Sequence, residues 1–285
     1  MSLESLMLRI SAGKNDRKRN AATPLPQHVH QELGIRYGKR RLDIYWPEGT
    51  TSPLPTIVSI HGGGYVYGSR QVYRLYCMDL ARRGFAVVNF DYRLAPRWKF
   101  PTPLEDTNAV MAWICRNAGA HHLDPKRLYL VGDSAGAQLA SQYAAIATDP
   151  DYAALFSLTV PDIHIRAIGL NCGMYDAATL SQGERTGVIR DYLGRLSSED
   201  PRLQVFAHIG PSYPPTHITT AFHDFLRENA QPIRDFLQSK GLEAQLQVYG
   251  SQEDEAIGHV FHVDIRLPEA QRCNDDQCAF FKKHP

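Results

Sequence analysis

Val131-Gly132-Asp133-Ser134-Ala135-Gly136 decides how this chain is read. Leu128 to Val131 is a short apolar run suited to a buried parallel strand, and Ala137-Gln138-Leu139-Ala140-Ser141 opens a helix of small residues directly afterwards. The hexapeptide between them is therefore a sharp strand-to-helix turn with a serine at its apex, the pattern of a nucleophile elbow. Such a turn strains the serine backbone, and its neighbours two positions either side come so close that only glycine fits, which accounts for Gly132 and Gly136. The helix N-terminus behind the serine favours developing negative charge. An ordinary turn in a doubly wound sheet would also satisfy so short a pattern.

Working outward, Thr56-Ile57-Val58-Ser59-Ile60 is a buried strand that runs straight into His61-Gly62-Gly63-Gly64-Tyr65. Three glycines after a strand leave backbone N–H groups free to point into a cavity, where they are the donors an oxyanion needs. Strands are expected at Phe85–Phe90, Arg166–Cys172, Pro215–Phe222 and Gln245–Tyr249, with helices at Leu104–Asn117 and Phe225–Lys240. Leu33–Tyr37 and Leu42–Trp46 read as an edge hairpin. Strands alternating with helices imply a mostly parallel, doubly wound α/β sheet. Two segments break the alternation. Residues 1–30 hold a weakly amphipathic helix (Leu3, Leu6, Met7, Ile10) and a polar link, and residues 176–212 hold one short helix near Gly187–Tyr192; both are expected to cap the site.

The 285 residues fit a single domain (1–285) with one core, and 31 Lys+Arg against 30 Asp+Glu leave a net charge of +1. Nucleic-acid binding would need a basic excess. The local run Lys14, Arg17, Lys18, Arg19 also contains Asn15 and Asp16, lacks aromatics, and reads as a solvated segment. No apolar run is long enough for a membrane helix and Met1-Ser2-Leu3-Glu4 does not open a signal peptide, so a cytoplasmic protein without a membrane partner is expected. The five cysteines are odd in number and without C-x-x-C spacing, and Cys77, Cys115 and Cys172 read as small core residues. His121-His122 reads as a polar loop, and no metal is expected.

His61-Gly62-Gly63-Gly64, Asp91-Tyr92-Arg93-Leu94-Ala95-Pro96, Phe100-Pro101, Glu105-Asp106 and Gly132-Asp133-Ser134-Ala135-Gly136 follow in that order. In these motifs, over about residues 55–262, the chain resembles the hormone-sensitive-lipase-like branch of the α/β-hydrolases. The resemblance implies an eight-strand mostly parallel sheet flanked by helices with a small cap, a carboxylesterase activity through a Ser-Asp-His triad, an oxyanion hole from the glycine loop, and no cofactor. Arg97 stands where that family usually has an acidic residue, and Ala137 replaces a common glycine after the elbow.

The triad partners should follow Ser134 in the order acid, then histidine. Asp224 lies just past the strand that ends near Phe222 and matches the family's acid position, with a helix N-cap as its alternative role. Asp235, Glu253, Asp254 and Glu255 are weaker candidates. Gly258-His259-Val260-Phe261-His262 offers two histidines. His259 is preferred because Gly258 permits a tight approach and His259-Val260-Phe261 resembles the family's His-Gly-Phe, while His262 reads as a cap or packed surface residue at the start of the C-terminal helix. The expected oxyanion donors are Gly63, Gly64 and Ala135, and Tyr65 and Asp133 are expected to contact substrate. The substrate expected is a small-molecule ester with a short acyl chain. Carbohydrate acetyl or feruloyl esters, amides or formamides, a non-catalytic ligand-binding role on the same fold and a homodimer stay open at this point.

Overall fold

The computed structural model describes residues 1–178, 180 and 185–285. Eight strands form one sheet: β1 (Val29–Tyr37), β2 (Arg40–Pro47), β3 (Leu54–Ile60), β4 (Ala86–Phe90), β5 (Leu123–Asp133), β6 (Ile165–Asn171), β7 (Thr216–Ala221) and β8 (Ala244–Tyr249). Their spatial order is β1-β2-β4-β3-β5-β6-β7-β8. β1 and β2 form the antiparallel edge hairpin, β2 meets β4 antiparallel, and every later pairing is parallel. The central strands are apolar at successive positions because both faces are covered. Val58, Ile60, Val88, Leu130, Ile168 and Ile218 pack with α3 (Thr102–Asn117), α4 (Ala135–Thr148) and α7 (Ala230–Ser239). Their neighbours in sequence, Ile57, Val87, Tyr129, Val131 and Ala167, pack with α2 (Arg74–Ala81) and α8 (Pro268–Lys282).

Helix α4 is the centre of this arrangement. Leu139, Tyr143 and Ile146 are buried in the core beside the small Ala137, Ala140, Ala144 and Ala145, which let the helix lie close to the strands. Each large side chain so buried contributes about 1.5–3 kcal/mol. α4 is followed by the short α5 (Pro150–Leu155), whose N-cap Asp149 accepts from the Asp151 and Tyr152 N–H groups. Arg93 of the Asp91–Pro96 motif donates to Asp106 and pairs with Glu105 at 3.0 Å, which pins that loop to α3.

Several elements depart from the sequence expectation. Helix α1 runs Leu3–Ala22, and the apolar residues Leu3, Leu6, Met7 and Ile10 face outward, not inward. Its packing face is held by small residues and hydrogen bonds. Ser5 and Gly13 are buried, Arg9 donates to the carbonyls of Val66 (2.6 Å) and Ala95 (3.0 Å), and Tyr67 donates to Asp16 at 2.8 Å. The N-terminus is fixed by the Ser2 N–H, which donates to Asp191 of α6 (Gly187–Leu193) at 2.7 Å. The basic run is thus not a solvated segment throughout, since Arg19 turns inward and pairs with Asp16 at 2.7 Å. The segment expected as one helix at Phe225–Lys240 is a 3-10 turn, Arg227–Asn229, followed by α7, and Phe225 lies outside both. Cys115 is half-buried, not a core residue. Residues 179 and 181–184 of the expected 176–212 cap segment lie outside the described residues; the rest of it holds α6 and the 3-10 turns Pro201–Leu203 and Val205–His208.

A Cβ on Gly136 would collide with the backbone carbonyls of Ile60 and His61, whereas one on Gly119 would meet nothing within 4 Å. Gly136→Ala is therefore expected to cost about 3 kcal/mol or more, because backbone cannot give way as a side chain does. Gly119→Ala should be close to neutral. Urea unfolding midpoints of the two variants check this, and equal midpoints would show that the approach at Gly136 is not tight.

Candidate active site

Ser134 follows the end of β5 and sits at φ 52°, ψ −119°, in the left-handed half of backbone space that a serine adopts only when its surroundings force it. Its own N–H donates to the Asn171 carbonyl of β6 at 2.9 Å, which ties the turn to the sheet. Ala135 is the first residue of α4, so its N–H is one of the orphan donors of a helix start. Opposite, β3 delivers the glycine loop. Gly63 (φ 110°) and Gly64 (φ 58°) lie where other residues are strained, and a Cβ on Gly63 would collide with the Tyr67 carbonyl. The Gly63 carbonyl accepts from Val66 and Tyr67, while the N–H groups of Gly63, Gly64 and Ala135 have no acceptor among the described residues. His61 anchors this loop. Its imidazole bonds the Gly62 carbonyl at 2.8 Å and stacks on Tyr92 at 4.1 Å, and burial lowers its pKa to about 4, so the ring is neutral.

The third and fourth inputs come from beyond β7 and β8. A parallel bridge between His223 and Gly258 draws the loop after β8 alongside the end of β7. His259 then stands between two partners: Nδ1 is 2.7 Å from Asp224 Oδ1, and Nε2 is 3.1 Å from Ser134 Oγ. A carboxylate accepts only, so Nδ1 carries the proton and Nε2 offers its lone pair to the serine hydroxyl. Asp224 also accepts from Thr220 Oγ1 (2.8 Å) and from the Leu226 N–H (3.0 Å). Burial pushes the Asp224 carboxyl up, but the hydrogen bond and charge of His259 and the donors Leu226 and Thr220 more than offset this, leaving it below its ordinary value and ionised at neutral pH.

These groups face a cavity of about 780 Å³. Its roof is α1, through Leu8, Ala12, Asn15 and Arg19, and Met174, Leu180, Ile189 and Val260 supply apolar wall. Tyr65 and Asp133 both line it, though each is already engaged. The Tyr65 ring stacks on Tyr192 at 3.7 Å and its hydroxyl donates to Gln138 at 3.1 Å. The Asp133 carboxylate accepts from Tyr73 at 2.6 Å, and that hydroxyl accepts from the Gly62 N–H at 3.1 Å, so Asp133 braces the glycine loop through Tyr73.

His262 does not sit at the start of the C-terminal helix or at the surface. It is fully buried in a 3-10 turn, Phe261–Val263, edge-on to Tyr76 at 5.4 Å, and α8 begins only at Pro268. Two contributors escaped sequence reasoning. Tyr73 carried no motif, and Phe225, although 75% exposed, lays its ring 4.2 Å from that of His259 at the cavity wall. Among the described residues, Cys172 with Asp224 and His259 is the one group of three ligating side chains close enough to hold a metal ion.

The family profile described as alpha/beta hydrolase fold matches residues 57–263. The chain belongs to that family. Within it, this α/β-hydrolase sides with the hormone-sensitive-lipase-like esterases. A versiconal hemiacetal acetate esterase of Dothistroma septosporum is 28% identical over 253 residues, covering 84% of this chain and 74% of that protein. Carboxylesterase NlhH of Mycobacterium tuberculosis is 28% identical over 221 residues, covering 71% and 66%. Esterase B from Lactobacillus rhamnosis, solved with a C4-C4 tributyrin phosphonate, superposes with a TM-score of 0.89 at 25% identity over 96% of this chain and 92% of that one. This α/β-hydrolase is accordingly an ester hydrolase. No helix among the described residues is long and apolar enough to cross a membrane.

Burial raises the Asp133 carboxyl to about 6, against the hydrogen bond of Tyr73 and the charge of His259, which lower it. An unfolded aspartate titrates near about 4. Between about pH 4 and pH 6 the folded state therefore keeps a proton that the unfolded state has lost, so this group's contribution to stability falls as pH rises through that window. Asp133→Asn does not titrate, and should gain stability relative to the parent on going from about pH 4 to pH 7. Urea midpoints at both ends check the sign; a constant difference would mean that Asp133 titrates as an ordinary carboxylate.

Proposed function

We propose that this α/β-hydrolase cleaves short-chain carboxylic esters through an acyl-enzyme on Ser134. The observation that carries the reading is the position of His259, with one ring nitrogen on Asp224 and the other on Ser134. As Ser134 Oγ attacks the ester carbonyl, His259 Nε2 takes its proton, and the Asp224 carboxylate holds the imidazole in the required tautomer and stabilises the imidazolium. The carbonyl oxygen becomes an oxyanion and receives the N–H groups of Gly63, Gly64 and Ala135, of which each such donor is worth about 3 kcal/mol. His259 then protonates the leaving alcohol. Water, activated by the same nitrogen, attacks the acyl-enzyme and releases the acid. α1 and the described part of residues 176–212 act as the cap, and Tyr65, Asp133 and Phe225 shape the wall around the reacting atoms.

A short acyl group is favoured by the roof: toward the cavity α1 presents Ser11, Asn15, Asp16, Lys18 and Arg19 beside Leu8 and Ala12, so the roof itself offers an acyl tail few apolar side chains. Two comparisons point the same way, one relative being named an acetate esterase and one neighbour being held by a tributyrin phosphonate.

Three measurements test this reading. Ser134→Ala should fold as the parent, lose nearly all hydrolysis of p-nitrophenyl acetate, and escape labelling by an organophosphate; full activity would remove Ser134 from the mechanism. His259→Ala should lower kcat by orders of magnitude, whereas His262→Ala, which empties a buried site away from Ser134, should lower stability and change kcat by a few-fold only. The reverse pattern would assign the base to His262. Across p-nitrophenyl esters, kcat/KM should peak between acetyl and butyryl, and a higher value for a twelve-carbon chain would overturn the short-chain assignment.

A further inference from the structure

We propose that Cys172, Asp224 and His259 together form a site for a thiophilic divalent cation, Zn²⁺ or Cd²⁺, whose occupation switches the esterase off. The proposal rests on the catalytic reading above. One ligand atom from each of the three residues lies within 4.8 Å of the others. A tetrahedral zinc bound to sulfur, nitrogen and oxygen at about 2.0–2.3 Å sets its ligands about 3.3–3.8 Å apart, so small side-chain rotations close the set. Thiolate, imidazole and carboxylate are also the ligand types that zinc selects. No spacing in the sequence announces them, because they come from the ends of β6, β7 and the loop after β8, which only the order of the sheet makes neighbours.

Cys172 stands at φ 48°, with its N–H donating to the Thr219 carbonyl at 2.7 Å. Its sulfur lies within 4.8 Å of a ligand atom of Asp224 and of one of His259. Neither the proton transfer nor the oxyanion binding described above uses it. The sulfur is buried, and His259, which lines the cavity, is the ligand through which a cation enters.

The chemistry of occupation is specific. The cation takes the place of the proton on Cys172 and of the proton on His259 Nδ1. The thiol proton leaves to solvent, while the single proton of the neutral imidazole moves to Nε2. Thiolate and carboxylate together neutralise the two charges of the cation. Nε2 then faces Ser134 Oγ, at 3.1 Å, carrying a proton instead of a lone pair. It can no longer accept the serine proton, and the base is lost. One proton is released for each cation bound, so the apparent affinity rises about tenfold per pH unit while the free thiol stays protonated.

The test titrates the intact protein with ZnCl₂ and CdCl₂ across the neutral range, with p-nitrophenyl acetate hydrolysis as one readout and the ultraviolet cadmium–thiolate absorption as the other. The parent should be inhibited, recover with a chelator, and show a half-inhibiting concentration that falls tenfold per pH unit. Cys172→Ala and Cys172→Ser should hydrolyse within a few-fold of the parent and be at least tenfold less sensitive, and the cadmium band of the parent should be missing from both. Ser134→Ala should keep the band, which separates failure of the catalytic assignment from failure of the site. Cysteine variants as sensitive as the parent, or a parent indifferent to millimolar cation, would overturn the proposal.

Discussion

The close approach of α4 to the end of β3 at Gly136 is the contact on which the site depends. It brings the first turn of one helix against the backbone of Ile60 and His61, with no room for a side chain between them. One contact thereby sets two groups of donors relative to each other, since Ala135 lies on the α4 side and Gly63 and Gly64 on the β3 side. Both are backbone groups in short segments, so neither depends on a side-chain rotamer. The turn around Ser134 is strained for the same reason, and the strain is met by burial of α4 and by the hydrogen bond from Ser134 to Asn171.

That reliance on backbone explains which parts of the molecule were legible beforehand. Glycines required by close approach recur in short patterns, and Gly62–Gly64 and Gly132–Gly136 each mark a strand-to-helix or strand-to-loop junction. Asp224 and His259 were legible through their order after the strands. Tyr73 was not, because its role consists of two hydrogen bonds, to Asp133 and Gly62, made across 60 and 11 residues of sequence. Phe225 reads in sequence as the first residue of a helix, since nothing local shows that Arg227–Asn229 turns away and leaves the ring beside His259. Helix α1 misled for the opposite reason. Its apolar stripe is genuine in sequence, yet the packing face is the one bearing Ser5, Arg9, Gly13 and Asp16, and polar bonds to Val66, Ala95 and Tyr67 outweigh a few apolar contacts.

Anchoring α1 by polar bonds has a structural consequence. The helix roofs the cavity while bonded to the segment that follows the glycine loop, through Val66, Tyr67 and Val72, and to α6 through Asp191. Roof and the segment after the glycine loop are therefore joined by direct hydrogen bonds.

The electrostatics complete the same logic. Two buried carboxylates are treated oppositely: Asp224, which accepts from His259, Leu226 and Thr220, is held ionised, while Asp133, with Tyr73 as its main donor, is raised to about 6. A charge on the His259 ring lowers the pKa of both carboxylates. On the proposed mechanism that charge exists only after Ser134 has given up its proton. The pair thus stabilises the imidazolium of the tetrahedral stage more than the neutral resting ring, which is the differential stabilisation that lowers a barrier. Asp133 is buried, and a buried charge is screened less than one at a surface. Bracing the glycine loop and favouring the imidazolium are then two effects of one buried carboxylate, the first through Tyr73 and the second through the field it casts on His259.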